Sequence, residues 1–216
     1  VKLARRALPF LLVTFLALPW AAAQVPQFSP FTADMKMTST NPNAPQDATG
    51  KAFVGSGHMR MNISAQGHET AMITDFATKT VSVLLVEPKM YMQHQAGAMS
   101  RRGIGGGPAD EMKPFDPANP CANQPDITCK KIGVETVSGR ACDHWEITDK
   151  NGKVSNVWVD EKLHFPIKMA SADSTILLTN ITEGEPDAAL FQIPSDFKKM
   201  DMSGMMAPGT ARPPQN

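Results

Sequence analysis

Fourteen methionines punctuate a chain of 216 residues. They come in close sets: "MKM" at 35–37, "HMRM" at 58–61, "MYMQHQAGAM" at 90–99 and "KKMDMSGMM" at 198–206. Thioether sulfur is a soft ligand that suits Cu(I). It is also flexible and polarizable, and lines surfaces that accept ligands of varied shape. Met90, Met92, His94 and Met99 form one candidate metal set; Met200, Met202, Met205 and Met206 in the tail form another. Met35/Met37, Met59/Met61 and Met90/Met92 are each spaced i, i+2. On a strand that spacing turns both side chains to one side. In the first two strands the same side carries Phe31 and Ile63. Sulfurs spread along an apolar face fit a lining better than a compact cage. The expected ligand lining is therefore Met35, Met37, Met59, Met61, Met90, Met92, Ile167 and Met169, with no metal or cofactor. Cu(I) binding is the alternative.

Catalytic chemistry is poorly supplied. Ser56 in "VGSGHM" lacks the G-x-S-x-G spacing of a nucleophile elbow. "GIGGGP" has neither a strand leading in nor a helix leading out, so it makes no phosphate cradle. The histidines at 58, 68, 94, 144 and 164 form no H-x-x-x-H pair, and no carboxylate pair has acid/base spacing. Asn62-Ile63-Ser64 and Asn180-Ile181-Thr182 match glycosylation acceptors, expected to be unused behind a bacterial-type export signal. A non-enzymatic protein is expected.

That export signal is read from residues 1–23. Lys2, Arg5 and Arg6 precede an apolar run from Ala7 to Trp20, then small residues, with cleavage expected near Ala23. The apolar run is short for a membrane span, which needs ~20 residues. A periplasmic or secreted location follows. The 21 basic and 21 acidic residues become 18 and 21 once the three basic residues of the signal are removed, a net of −3. No basic face invites nucleic acid. In an oxidising compartment two of the three cysteines should pair. "CANQPDITC" closes a short turn-rich loop, which favours Cys121–Cys129, with Cys129–Cys142 left open. No C-x-x-C is present.

The elements that must position these residues read as strands. Period-two alternation marks "FTADMKMTST", "HMRMNIS", "HETAMITDF", "TVSVLLVEP" and "KMYMQHQ". "NPNAPQDATG" at 41–50 reads as a turn region and "AQG" at 65–67 as a hairpin loop. Residues 96–126 are dense in Gly, Pro and Asp, long for a loop and expected to be functional or mobile. Strands resume at "TCKKIGVETV", "ACDHWEIT", "KVSNVWVDE", "LHFPIKMAS" and "STILLTNITEG". "EPDAALFQIPSDFKKM" reads as a helical turn and an extended closing segment. Ten short strands at even spacing imply an antiparallel meander in one domain, 24–200. The Met- and Pro-rich tail, 201–216, is expected to be disordered.

The C-terminal third resembles the closing region of LolA/LolB-like proteins, and more closely an exported bacterial family related to them. The residues that carry this are Trp158, Val159, Asp160, Pro166, Ile167 and Lys168, then Leu190, Phe191, Ile193, Pro194, Phe197, Lys198 and Lys199. "GVETVSG" at 133–139 matches a Gly-x-Glu-x-Val-x-Gly hairpin. The resemblance spans roughly residues 128–200. It implies a mainly β fold: a strongly curved antiparallel sheet forming an incomplete (half) β-barrel, with few short helices and an apolar concave face. Relatives of that shape hold acyl chains or lipoproteins. The implied partner is a lipid or acylated molecule, with contact to a membrane or lipoprotein, and the implied state is a monomer. The carriers begin with an amphipathic helix. Here "QVPQFSPFTADMKM" leads almost directly into a strand, and segment 96–126 is the candidate cover.

Overall fold

The computed structural model describes residues 28–42, 47–96, 119–122 and 126–200. The export signal, the tail 201–216 and most of segment 96–126, Met99 included, lie outside the described residues. Among the described residues twelve strands follow one another: β1 (Phe31–Ser39), β2 (Asp47–Gly55), β3 (His58–Ala65), β4 (His68–Asp75), β5 (Thr80–Leu85), β6 (Met90–Gln95), β7 (Ile127–Val137), β8 (Arg140–Asp149), β9 (Val154–Asp160), β10 (Phe165–Ala170), β11 (Ser174–Glu183) and β12 (Lys198–Lys199). A 3-10 turn at Ala188–Phe191 is the helical turn expected in "EPDAALF"; Asp187 caps it by accepting the Ala189 N–H.

All twelve strands belong to one sheet in the order β12-β6-β5-β4-β3-β2-β1-β11-β10-β9-β8-β7. Consecutive strands pair within β1–β6 and within β7–β11, and the pairing of β1 with β11 joins these two halves. Two of the hairpins turn on residues of positive φ, Gln66-Gly67 (53° and 80°) and Ser138-Gly139 (51° and 76°). Such two-residue turns match the right-handed twist of the strands they join. Only β12 runs parallel to its neighbour, β6. The sheet is not closed and not strongly curled, with β7 and β12 as its edges. The expected mainly β, largely antiparallel sheet with almost no helix is present among the described residues; the strong curvature of a half barrel is not.

The ten expected strands become twelve. β12 is two residues long and falls in the expected closing segment. β2 was hidden in the region read as a turn, because Ala48, Gly50 and Ala52 alternate with Asp47, Thr49 and Lys51. Small residues carry no strand signal of their own. They fit here because Gly50 lies against the backbone of β3.

The main core gathers Phe31, Met35, Val54, Met59, Leu163, Ile167 and Leu178 with Cys142 and Trp158. At one end Phe28 packs edge-on against Phe76 (5.8 Å) and Phe165 (5.0 Å), and Phe165 against Phe31 (5.2 Å). Such geometry lets the positive ring edge meet a negative ring face. A second cluster, Ala71, Ile73 and Leu84, is covered by Ile193 and Phe197 from the chain after β11. Cys121 and Cys129 form a disulfide with Cα atoms 5.7 Å apart, and Cys142 is a buried free thiol.

Candidate ligand-binding face

The ladders assign every strand residue to a side. Met35 and Met37 on β1 oppose Gly50 and Ala48 on β2, which oppose Ile63 and Ala65 on β3. Ala52 and Val54 oppose Met61 and Met59. Met61 then opposes Met72 on β4, Met72 opposes Val83 on β5, and Val83 opposes Met92 on β6. One step along, the row reads Ile63, Thr70, Leu85, Met90; one step the other way, Met59, Thr74, Val81, His94. Paired residues of a ladder share a face. Met35, Met37, Met59, Met61, Met72, Met90 and Met92 therefore occupy one side of six adjacent strands.

Burial divides that side into two regions. Met35 and Met59 are each 5% exposed and belong to the packed core. Met37, Met61, Met72, Met90 and Met92 are half-buried, as are Ile63, Val83 and Leu85 beside them. Four of these methionines, Met61, Met72, Met90 and Met92, thus lie together on β3–β6, with Met37 apart on β1 beside the packed core. Ile167 is buried beside Leu178. Met169 is 36% exposed; it opposes Ile176, which in turn opposes Met37, so it continues the same side of the sheet two strands beyond β1. Alternation within "HETAMITDF" placed Met72 on a strand, but only the register brings it between Met61 and Met92.

The opposite side is polar or covered by the chain's own closing segment. Glu185 accepts from the Ser56 N–H (2.9 Å) and hydroxyl (3.0 Å), and Arg60 donates to the Leu190 carbonyl (2.8 Å). Lys89 pairs with Asp196 at 2.7 Å before β12 joins the edge of β6. A cleft of about 350 Å³ remains beneath this strap, lined by His58, Asp75, Ser82, Gln93, Phe191 and Ile193 among others. Within it His58 stacks on Phe191 at 5.5 Å. Burial opposes the charge on Asp75, but the Thr78 and Ala77 N–H groups and nearby His58 hold its carboxyl below the ordinary range. No methionine borders this cleft.

Far across the sheet, Asp160 fastens the β9–β10 turn. It is 1% exposed and accepts the Lys162 and Leu163 N–H groups at 2.9 and 2.8 Å. Arg140 grips both of its carboxylate oxygens and reaches Glu183 at 3.0 Å. Beside it, Trp158 stacks on His144 (4.3 Å), donates to Glu135 (2.7 Å) and lies under the Lys168 ammonium (4.0 Å). Trp158, Asp160 and Lys168, which carried the resemblance, are thus structural: they hold a turn and a ladder rather than a pocket.

No protein of curated function matches the sequence. Among solved structures, an uncharacterised conserved protein from Thermus thermophilus is similar with a TM-score of 0.51 and 9% identity, covering 80% of this chain and 90% of that one. MucB in the MucA/MucB complex of Pseudomonas aeruginosa gives 0.48 and 12%, covering 78% of this chain and 56% of that one. A LolA superfamily protein from Nitrosomonas europaea gives 0.39 and 10%, covering 78% and 92%. At 9% identity the likeness to the Thermus thermophilus protein is one of fold alone. The profile of a family described as a domain of unknown function, DUF4412, matches residues 31–164, more than half of the chain, and the chain belongs to that family.

Proposed function

We propose that this is an exported, non-enzymatic protein that binds a lipid or acyl chain on the methionine face of its sheet. The observation that carries the reading is the register that unites Met61, Met72 and Met92 with Ile63, Val83, Leu85 and Met90 on one half-buried surface. A contiguous apolar surface left partly open to water is costly unless a partner covers it, at roughly 25 cal/mol per Å². Unbranched thioethers adapt to a flexible alkyl chain better than branched side chains do. The Cys121–Cys129 disulfide supports an oxidising compartment, in keeping with an export signal at residues 1–23. Contact with a membrane or with an acylated protein would deliver such a ligand.

Mass spectrometry of protein purified without detergent, with titration of a fluorescent fatty acid, tests the proposal. A co-purified lipid or saturable uptake is the expected result. Protein that carries no lipid and takes up no probe overturns it.

A further inference from the structure

We propose that Met72, Met90 and Met92 form a soft-cation site that takes Cu(I). Met72 on β4 and Met92 on β6 both oppose Val83 on the strand between them. Adjacent strands are ~4.8 Å apart, so the two methionine Cα atoms are about 10 Å apart. Two unbranched side chains are long enough to meet over Val83. Met90 opposes Leu85 and occupies the same face two residues before Met92, within reach of the same point. All three methionines thus share one side of β4–β6, close enough for their thioethers to reach one point above Val83.

The surroundings select the ion. Rows Ile63-Thr70-Leu85-Met90 and Met61-Met72-Val83-Met92 contain no charged side chain. A neutral sulfur set with no carboxylate disfavours Mg²⁺ and Ca²⁺, which require oxygen, and favours a soft monovalent ion. Among the described residues no group of three His, Cys, Asp or Glu gathers to compete. All three methionines are half-buried, which leaves the ion a route in while limiting water around it. His94 continues the same face beyond Met92. Met72, eighteen residues before Met90 in the chain, replaces Met99 of the sequence-based set.

The test is anaerobic titration of the full chain with Cu(I) against a chromophoric Cu(I) chelator. The expected result is one equivalent bound in competition with the chelator. Met72→Leu, Met90→Leu and Met92→Leu each keep size and apolarity while removing the donor, and each should weaken binding at least tenfold. Removal of residues 201–216 should leave the affinity unchanged. X-ray absorption of the wild-type complex should report a shell of three sulfurs and requires no variant to fold. Absence of competition, wild-type affinity in the triple leucine variant, loss on removal of the tail alone, or a nitrogen and oxygen shell would each overturn the assignment.

Discussion

Gly50 of β2 lies so close to Asn62 of β3 that a Cβ at position 50 would approach the Asn62 carbonyl oxygen to 2.0 Å. The methyl of Met35 would be 3.1 Å from the same atom. Backbone cannot yield as a flexible side-chain tip can. Gly50→Ala should therefore push β3 away or displace Met35, costing ~1–3 kcal/mol, the range for overpacking. Urea unfolding measures it; a midpoint within error of wild type would mean that the strands part without strain.

The same contact explains why β2 was illegible. A strand signal needs large apolar residues on alternate positions, and Gly50 is small because its neighbours are close. Proximity of another strand is a tertiary fact with no local sequence mark. Hairpins with Gly at positive φ, such as Gln66-Gly67, were readable because the turn chemistry is local. The methionine alternation was readable within each strand for the same reason. The joining of the two halves was not, because β1 pairs with β11 about 140 residues away; and Met72, flanked on its own side by Thr70 and Thr74, shows no apolar alternation that would mark it as part of the methionine face.

Charge placed within the methionine face should separate ligand binding from folding. Met61→Glu and Met72→Glu each set a carboxylate among half-buried apolar groups. Affinity for an uncharged fluorescent acyl ester should fall at least tenfold, about 1.4 kcal/mol. Thr49→Glu is the control: Thr49 is exposed and opposes Lys36 and Ser64 on the other side of the sheet. Equal losses in all three variants would refute a face-specific site.

Acid should loosen the β9–β10 turn. Burial works against the charge of Asp160, yet Arg140 and the Leu163 and Lys162 N–H groups outweigh it and hold the carboxyl below its ordinary 3.8. A depressed folded pKa adds stability that is present above the unfolded value and lost as pH falls through the folded one. Asp160→Ala should cost ~3–5 kcal/mol at pH 7, because Arg140 loses its buried partner. That difference should shrink below about pH 4, where the wild-type carboxyl also loses its charge on unfolding. Denaturation of both proteins from pH 7 to pH 2 checks this; a constant difference would count against the ion pair.

Thiol chemistry should divide the cysteines two against one. Cys129 opposes Ile147, whereas Cys142 itself lies five residues further back along β8, about 17 Å away at strand rise. A disulfide tolerates no more than about 7 Å between Cα atoms, so Cys129–Cys142 would require the β7–β8 ladder to break. Burial first, then the nearby Asp160 carboxylate, push the Cys142 thiol up to about 11. Native protein at pH 8 should therefore resist a thiol reagent, unfolded protein should react at one site, and reduced unfolded protein at three. Reduction of Cys121–Cys129 should cost about 2.5 kcal/mol by loop closure across its eight-residue separation. Peptide mapping that recovers Cys142 joined to Cys129 would overturn the β7–β8 register.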